Sequence, residues 1–286
     1  MALVLCIAPA IAQKTSEAAP AKADAANPLS VPPRTWAVDA VANELNALHH
    51  RGSYLRYRMH VVDSKGDQVR DVIETKDGAV ARLILKNGKP LTPDEDKDER
   101  KRLTDMLSSP SDYAKHIKHE EEGKKLADQM MRLMPDAMIY TYTPGQPQTG
   151  ADHGGLEVVL DYKPNPKFSP PTTASQALTG LKGRVWIDAK SHAIVRMEGT
   201  VFRAVNLGWG MLAHIYPGGE LMLEQTQVGG NRWIFTNFTE KISVRALMVK
   251  TININTHIEG MDFQPLPGAV SYQEAIRMLL DTPLPK

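Results

Sequence analysis

Residues 53–88 read SYLRYRMHVVDSKGDQVRDVIETKDGAVARLILKNG. In 53–62, Leu55, Tyr57, Met59 and Val61 alternate with Tyr54, Arg56, Arg58 and His60. A period of two puts each set on its own face of a strand. Lys65-Gly66 is a turn, and Asp77-Gly78 is a strong hairpin signal between strands expected over 67–75 and 79–86. Asn87-Gly88 closes this antiparallel meander.

The chain changes character on both sides of the meander. Upstream, Thr35 is a plausible N-cap for a helix in which Trp36, Val41, Leu45 and Leu48 keep helical spacing up to His50. Downstream, Thr92-Pro93-Asp94-Glu95 combines an N-cap, a proline at the first helical position and an acid at the third. Ser109-Pro110-Ser111-Asp112 repeats that logic. Two helices are expected, over about 93–107 and 110–134. Strand-like stretches follow at 138–143, 156–163, 181–188, 192–203, 207–216, 219–228, 231–242 and 244–258, with a short helix at 271–280. The connections between strands are short, and no strand–helix–strand alternation supports a parallel sheet. The expected class is therefore α+β: one large curved antiparallel sheet, an open half-barrel, with a helical lid at about 92–134 on its concave face. Such an interior holds an apolar ligand unless side chains fill it.

Composition sets limits on function. The 286 residues carry 34 Lys and Arg against 33 Asp and Glu, a net charge of +1. So even a balance offers no field for a polyanion, which argues against nucleic acid as a partner. No run approaches the roughly 18 apolar residues of a spanning helix. Cys6 is the one cysteine, which excludes an internal disulfide and any Cys-based metal site. It lies in MALVLCIAPAIA, an apolar run whose Ala10-Ile11-Ala12 ending suits signal-peptidase cleavage before Gln13. The basic segment that ordinarily precedes such a run is missing, which points to a shifted or truncated start. Residues 1–12 are thus expected to be a signal peptide, 13–34 an Ala- and Pro-rich flexible leader, and 35–286 a single domain. Export implies a periplasmic or secreted protein.

Catalytic constellations are weak. The sequence has no Gly-x-Ser-x-Gly elbow, Walker A loop or dinucleotide fingerprint. Leu207-Gly208-Trp209-Gly210 suits a bending strand. His116, His119 and Glu120 lack the His-Glu-x-x-His order of a zinc helix. Asp94, Asp96 and Asp98 begin like a calcium loop, but Glu99 stands where glycine is needed and Asp105 where glutamate is needed. Asp152-His153 has no partner nucleophile legible in the sequence. Tyr140 and Tyr142 suit packing. No catalytic residue, metal or cofactor is expected. The methionines carry more: Met130, Met131, Met134 and Met138 crowd the end of the second lid helix around Leu133. Unbranched, polarizable Met side chains either fill irregular gaps in a core or adapt to variable apolar partners.

Leu181-Lys182-Gly183-Arg184-Val185-Trp186-Ile187-Asp188 followed by His192-Ala193-Ile194-Val195-Arg196-Met197-Glu198-Gly199 resembles a hairpin common in envelope proteins similar to the LolA/LolB-like outer-membrane lipoprotein-sorting superfamily. Asn87-Gly88-Lys89-Pro90-Leu91 ahead of the charged helices also suits that group. The resemblance spans roughly 36–263. It implies an open β-half-barrel with a helical lid around a hydrophobic cavity. It also implies a periplasmic carrier or sensor of lipid or acyl groups, with transient contact to envelope membrane proteins. No functional residue of the lipoprotein carriers can be matched one to one.

The leading expectation is a non-enzymatic protein that binds a hydrophobic small molecule, or a lipid or lipoprotein acyl chain, between sheet and lid. Leu126, Met130, Leu133 and Met134 on the lid and Ile252 and Ile254 on the last strand are the candidate binding residues. A structural or interaction protein with a filled core is the alternative, and a hydrolase built around His153 or His257 is a third. If the leader reading is right, sequencing the mature amino terminus from the native host gives Gln13 or a close neighbour. An intact Met1 on cytoplasmic material overturns it.

Overall fold

The computed structural model describes residues 27–49, 53–150, 154–208, 212–228, 232–247 and 249–285, except the side chain of His119. Helix α1 (Pro33–His49) leads into strands β1 (Leu55–Asp63), β2 (Gly66–Thr75), β3 (Gly78–Lys86) and the short β4 (Lys89–Pro90). Helices α2 (Pro93–Ser108) and α3 (Pro110–Ala137) follow, then β5 (Met138–Tyr142), β6 (Gln148–Thr149), β7 (Leu156–Pro164), β8 (Leu181–Asp188) and β9 (Ile194–Val201). The chain ends through β10 (Val205–Leu207), β11 (Ala213–Ile215), β12 (Glu220–Val228), β13 (Arg232–Ala246), β14 (Lys250–Pro265) and α4 (Tyr272–Asp281).

All strands join one open antiparallel sheet. Its path runs β4-β3-β2-β1-β14-β13-β12-β9-β8-β7-β5. The meander read from 53–88 is present, and it docks on the last strand, with Leu55 opposite Pro265 and Val62 opposite His257. The two edge strands of the path, β4 and β5, are therefore the two joined by α2 and α3. The paired glycines Gly183 and Gly199 sit side by side on β8 and β9. A Cβ on Gly183 would fall 1.9 Å from the Glu198 carbonyl oxygen, which receives the Tyr162 hydroxyl at 2.7 Å. Only glycine admits that close crossing.

The local signals behave unevenly. Thr92 and Glu95 form the expected capping box, and Ser271 and Glu274 form another on α4. Ser109 makes no side-chain cap; its hydroxyl meets that of Ser111 at 2.8 Å. Helix α1 begins at Pro33 rather than after Thr35, because proline fits the first helical turn. Part of the expected leader is also ordered. The Trp36 indole donates to the Pro28 carbonyl at 2.8 Å, and the Tyr142 hydroxyl donates to the Val31 carbonyl at 2.8 Å. The expected break at 243 is absent: β13 runs to Ala246 and β14 starts at Lys250, with Leu247 and Val249 in turn conformation. Of the expected strand 207–216, the described residues place Leu207 at the end of β10 and Ala213–Ile215 in β11. The signal-peptide segment and His153 lie outside the described residues.

Helices cover both faces of the β1–β3 end, not the concave face alone. Ile73 packs with Leu103, Met106, Ile276 and Leu279 of α2 and α4. Its neighbour Glu74 must point to the opposite face, since strand side chains alternate. The α2–α4 layer is locked by Arg82, 1 % exposed, which donates to the Leu279 and Thr282 carbonyls at 2.6 Å each and pairs with Asp96 at 2.7 Å. Arg100 holds the other oxygen of Asp96 at 2.8 Å. The tip of the β2–β3 hairpin is clamped to α3: Glu120 accepts from Ala79 N at 3.0 Å, His116 donates to the Ala79 carbonyl at 2.9 Å, and the Tyr113 hydroxyl donates to the Asp77 carbonyl at 2.9 Å. His116, Glu120 and Asp96, read above as weak metal candidates, hold elements together.

Replacing Arg82 with Met leaves two carbonyls and Asp96 without their buried partner. Breaking a buried ionic network from one side costs about 3–5 kcal/mol. Urea unfolding of Arg82→Met is expected to show a loss of that order, and a loss under about 1 kcal/mol counts against the network.

Candidate functional site: an apolar cavity beneath α1 and α3

A cavity of about 670 Å³ lies between the sheet and the pair α1 and α3. Nine neighbouring strands, from β2 through β1, β14, β13, β12, β9, β8 and β7 to β5, each contribute to its wall. The sheet therefore curves around it, and the cavity is a product of the whole path rather than of one loop. The volume falls within the roughly 300–1,000 Å³ of small-molecule sites.

Two features of the helices leave this space open. On α1, Ala37, Ala40, Glu44 and Ala47 form one stripe toward the sheet. Their spacing of three, four and three residues keeps them on one face. Three of the four are alanine, so the helix approaches the strands without filling the gap. On α3, Met130, Met131 and Met134 reach the cavity from above. From the strands come Tyr57, Met59, Met197, Leu223, Phe235 and Ile258.

The expected site residues divide. Met130 and Met134 line the cavity, while Leu133 packs against the adjacent core around Trp36 and Tyr140. Leu126 is half exposed and lies off the wall. Ile252 and Ile254 do not line it either. They share a strand face with Ile258, which does, but they sit four to six residues farther out, where β14 has left the body of the sheet. The expected lid is also narrower than 92–134: α2 packs on the other face, and α1, not assigned to the lid from sequence, forms half of the cover.

Two carboxyl groups and one guanidinium enter the wall, those of Glu44, Glu74 and Arg232. Glu74 and Arg232 satisfy each other, with Arg232 Nη2 on Glu74 Oε1 at 2.7 Å and Nη1 on Oε2 at 2.8 Å. Leu55 N also donates to Glu74 at 3.0 Å, and Arg232 reaches the Ser53 carbonyl at 2.8 Å. Glu44 has no cationic partner among the described residues. It accepts from Ile194 N at 3.1 Å and from Gln225 Nε2 at 3.0 Å. Burial pushes its carboxyl above the usual carboxylate range, and the two hydrogen bonds oppose that rise. Tyr140 and Tyr162 present their rings to the cavity, but their hydroxyls donate to the backbone carbonyls of Met134 and Glu198. Burial raises both phenols, so they stay protonated.

His257 meets Thr239 at 3.2 Å on the face opposite the cavity wall. Among the described residues, no group of three or more His, Cys, Asp or Glu is placed to hold a metal ion. None of the described helices is long and apolar enough to cross a membrane. Comparison with protein-family models, curated proteins and solved structures returned no match.

Glu44 makes the fold sensitive to pH with a definite sign. Its folded-state value is raised above 4.5, so the folded protein holds its proton more tightly than the unfolded chain does. Stability from this group is greatest at low pH and falls as pH rises from about 4.5 through the raised value. Glu44→Gln removes the titration, keeps an acceptor for Ile194 N and offers an amide to Gln225. The variant is expected to gain stability over the wild type across that window and hold the gain at pH 7. Paired melting curves from pH 4 to 8 test this, and a constant difference overturns it.

Proposed function

We propose that this protein is a non-enzymatic binding protein of the bacterial envelope. In this reading it buries an apolar ligand, a lipid or the acyl chain of a lipoprotein, between the curved sheet and helices α1 and α3. It serves as a carrier or sensor. The observation that carries the proposal is the 670 Å³ apolar cavity, walled by the curved sheet and covered by the alanine stripe of α1 and the methionines of α3. A core built for stability alone packs at crystal-like density and loses dispersion contacts around any void. A space of this size is costly unless something occupies it.

The physical driving force is hydrocarbon transfer. Each methylene removed from water contributes about 0.8 kcal/mol, so a chain of ~14 carbons supplies on the order of 10 kcal/mol before ordering costs. Met130, Met131 and Met134 can change rotamer to follow ligands of different shape. The side chains of Glu44, Glu74 and Arg232 and the hydroxyls of Tyr140 and Tyr162 are engaged with other wall residues or with the backbone, which suits binding rather than chemistry. The likeness of the 181–199 hairpin to lipoprotein-sorting proteins, and the expected leader, point the same way.

Met130→Asp places a carboxylate in the wall, while Leu126→Asp places one on the exposed side of the same helix. Binding is read with the fluorescent apolar probe N-phenyl-1-naphthylamine. The wild type is expected to bind it, Met130→Asp to bind at least about tenfold more weakly, and Leu126→Asp to match the wild type. An unpaired carboxylate costs several kcal/mol in a closed core and much less in a wettable pocket. The melting temperature of Met130→Asp should therefore fall little. A collapse in melting, with no binding by the wild type, assigns the site to plain core.

A further inference from the structure

The β13–β14 hairpin extends past the sheet that supports it. Strand β12 accompanies β13 only as far as Lys241, opposite Glu220. On the other side, β1 accompanies β14 only from His257, opposite Val62. Beyond those points the two strands pair with each other, backed by the three residues of β11. The arm reaches ~17 Å past Lys241, at ~3.4 Å per residue.

Its end is apolar and open to solvent. Val249 is 88 % exposed, Leu247 67 %, Leu212 53 % and Ile252 43 %. Leu212 and Leu247 are tied together, with Leu247 N donating to the Leu212 carbonyl at 2.9 Å. Four large aliphatic residues thus share one end of the molecule. Leu247 also has φ +48°, in the left-handed region. Gly, Asn or Asp normally occupies such a turn position. Local stability therefore disfavours leucine here twice, by backbone conformation and by exposure.

The charge around the tip is of one sign. The 16 residues 204–219 and the 18 residues 241–258 contain no Asp or Glu, in a chain that has 33. They contain Lys241, Arg245 and Lys250, with His214 and His257. Lys250 lies opposite Ala246 at the turn, and Arg245 lies opposite Thr251 and beside His214. Neither Arg245 nor Lys250 takes part in an ion pair among the described residues.

We propose that the tip of the β13–β14 arm docks on an anionic lipid bilayer. The aliphatic residues enter the interfacial region while Arg245 and Lys250 meet headgroup phosphates. Exposed hydrophobes ringed by cations, with carboxylates excluded, match the two attractions such a surface offers. A protein partner would supply carboxylates or a shaped pocket and would not require the absence of acids on this side. The proposal does not depend on what fills the cavity.

Co-sedimentation of the full chain with vesicles tests it. One set is phosphatidylcholine alone, and the other has phosphatidylglycerol mixed in. Binding is expected to the mixed vesicles only and to weaken as salt is raised. The double variant Leu247→Asp, Val249→Asp is expected to partition at least about tenfold less. Arg245→Glu with Lys250→Glu is expected to lose the preference for anionic lipid. The Asp variant should keep its melting temperature, because both sites are exposed and Asp suits the turn at 247. Equal binding to both vesicle types, or wild-type binding by the tip variants, overturns the proposal. So does dimerisation without vesicle binding, abolished by the same variants, which reassigns the tip to a second copy of the chain.

Discussion

The pairing of β1 with β14 is the contact on which the rest of this architecture depends. It joins the amino-terminal meander to the last strand and makes one sheet of segments some 200 residues apart. It also leaves β4 and β5 as the two ends of the path, and these are consecutive strands in the chain apart from α2 and α3. The connection between them has to travel from one edge of a wide curved sheet to the other. A 28-residue helix spans ~42 Å at ~1.5 Å per residue, which is the scale of that task. Helix α3 accordingly begins against the β2–β3 hairpin tip at Tyr113 and ends over the cavity at Met130 and Met134.

The single helix serves two environments of opposite character. At its start, Tyr113, His116 and Glu120 spend their polar atoms on the backbone of residues 77–79. Beside it, Arg82 fixes α2 and α4 with charge-assisted bonds in a dry layer. Hydrogen-bonded contacts of that kind specify one geometry. The far end of α3 offers methionines and no fixed polar contact to the cavity, which specifies apolarity and leaves shape open. Rigidity at one end and adaptability at the other follow from the residue types on one helix.

Much of this was legible locally. Alternation in 53–62, Asp77-Gly78 and the Thr92 capping box each depend on neighbours within a few residues, and the structure contains all three. The misread features depend on distant partners. The turn at 247–249 carries Leu and Val in place of Gly, Asn or Pro, so no turn chemistry announced it. Pro33 and the Pro28 and Val31 carbonyls looked like leader because their partners, Trp36 and Tyr142, give no sign of them in the sequence. Helix α2 looked like lid because amphipathicity shows that a helix covers something, not which face of a sheet it covers. The stripe Ala37, Ala40, Glu44, Ala47 was the available signal for the cavity's second wall. Alanine carries too little apolar surface for such a stripe to stand out from helical spacing alone.

Ile252 and Ile254 tie the two ends of the molecule together. The β13–β14 register is unbroken from the Asn237–Glu259 pair to the Ala246–Lys250 pair, and side chains two apart share a face. Ile252, Ile254 and Ile258 therefore look the same way, the first at the exposed arm and the last in the cavity wall. Their cross-strand partners Val244, Ile242 and Phe238 extend the same surface on β13. This mostly apolar face, interrupted by the Thr256–Glu240 pair, thus runs from the tip toward the cavity without a change of parity. Inserting one residue between Ile254 and Ile258 would turn the outer part of the strip away while leaving composition and exposure almost unchanged. Strand parity, rather than hydrophobicity alone, is what aligns the exposed aliphatic tip with the cavity. For the proposed lipid ligand, that alignment is the geometric condition for an apolar chain to pass from one to the other, past the carboxyl of Glu240, which burial pushes above the usual carboxylate range.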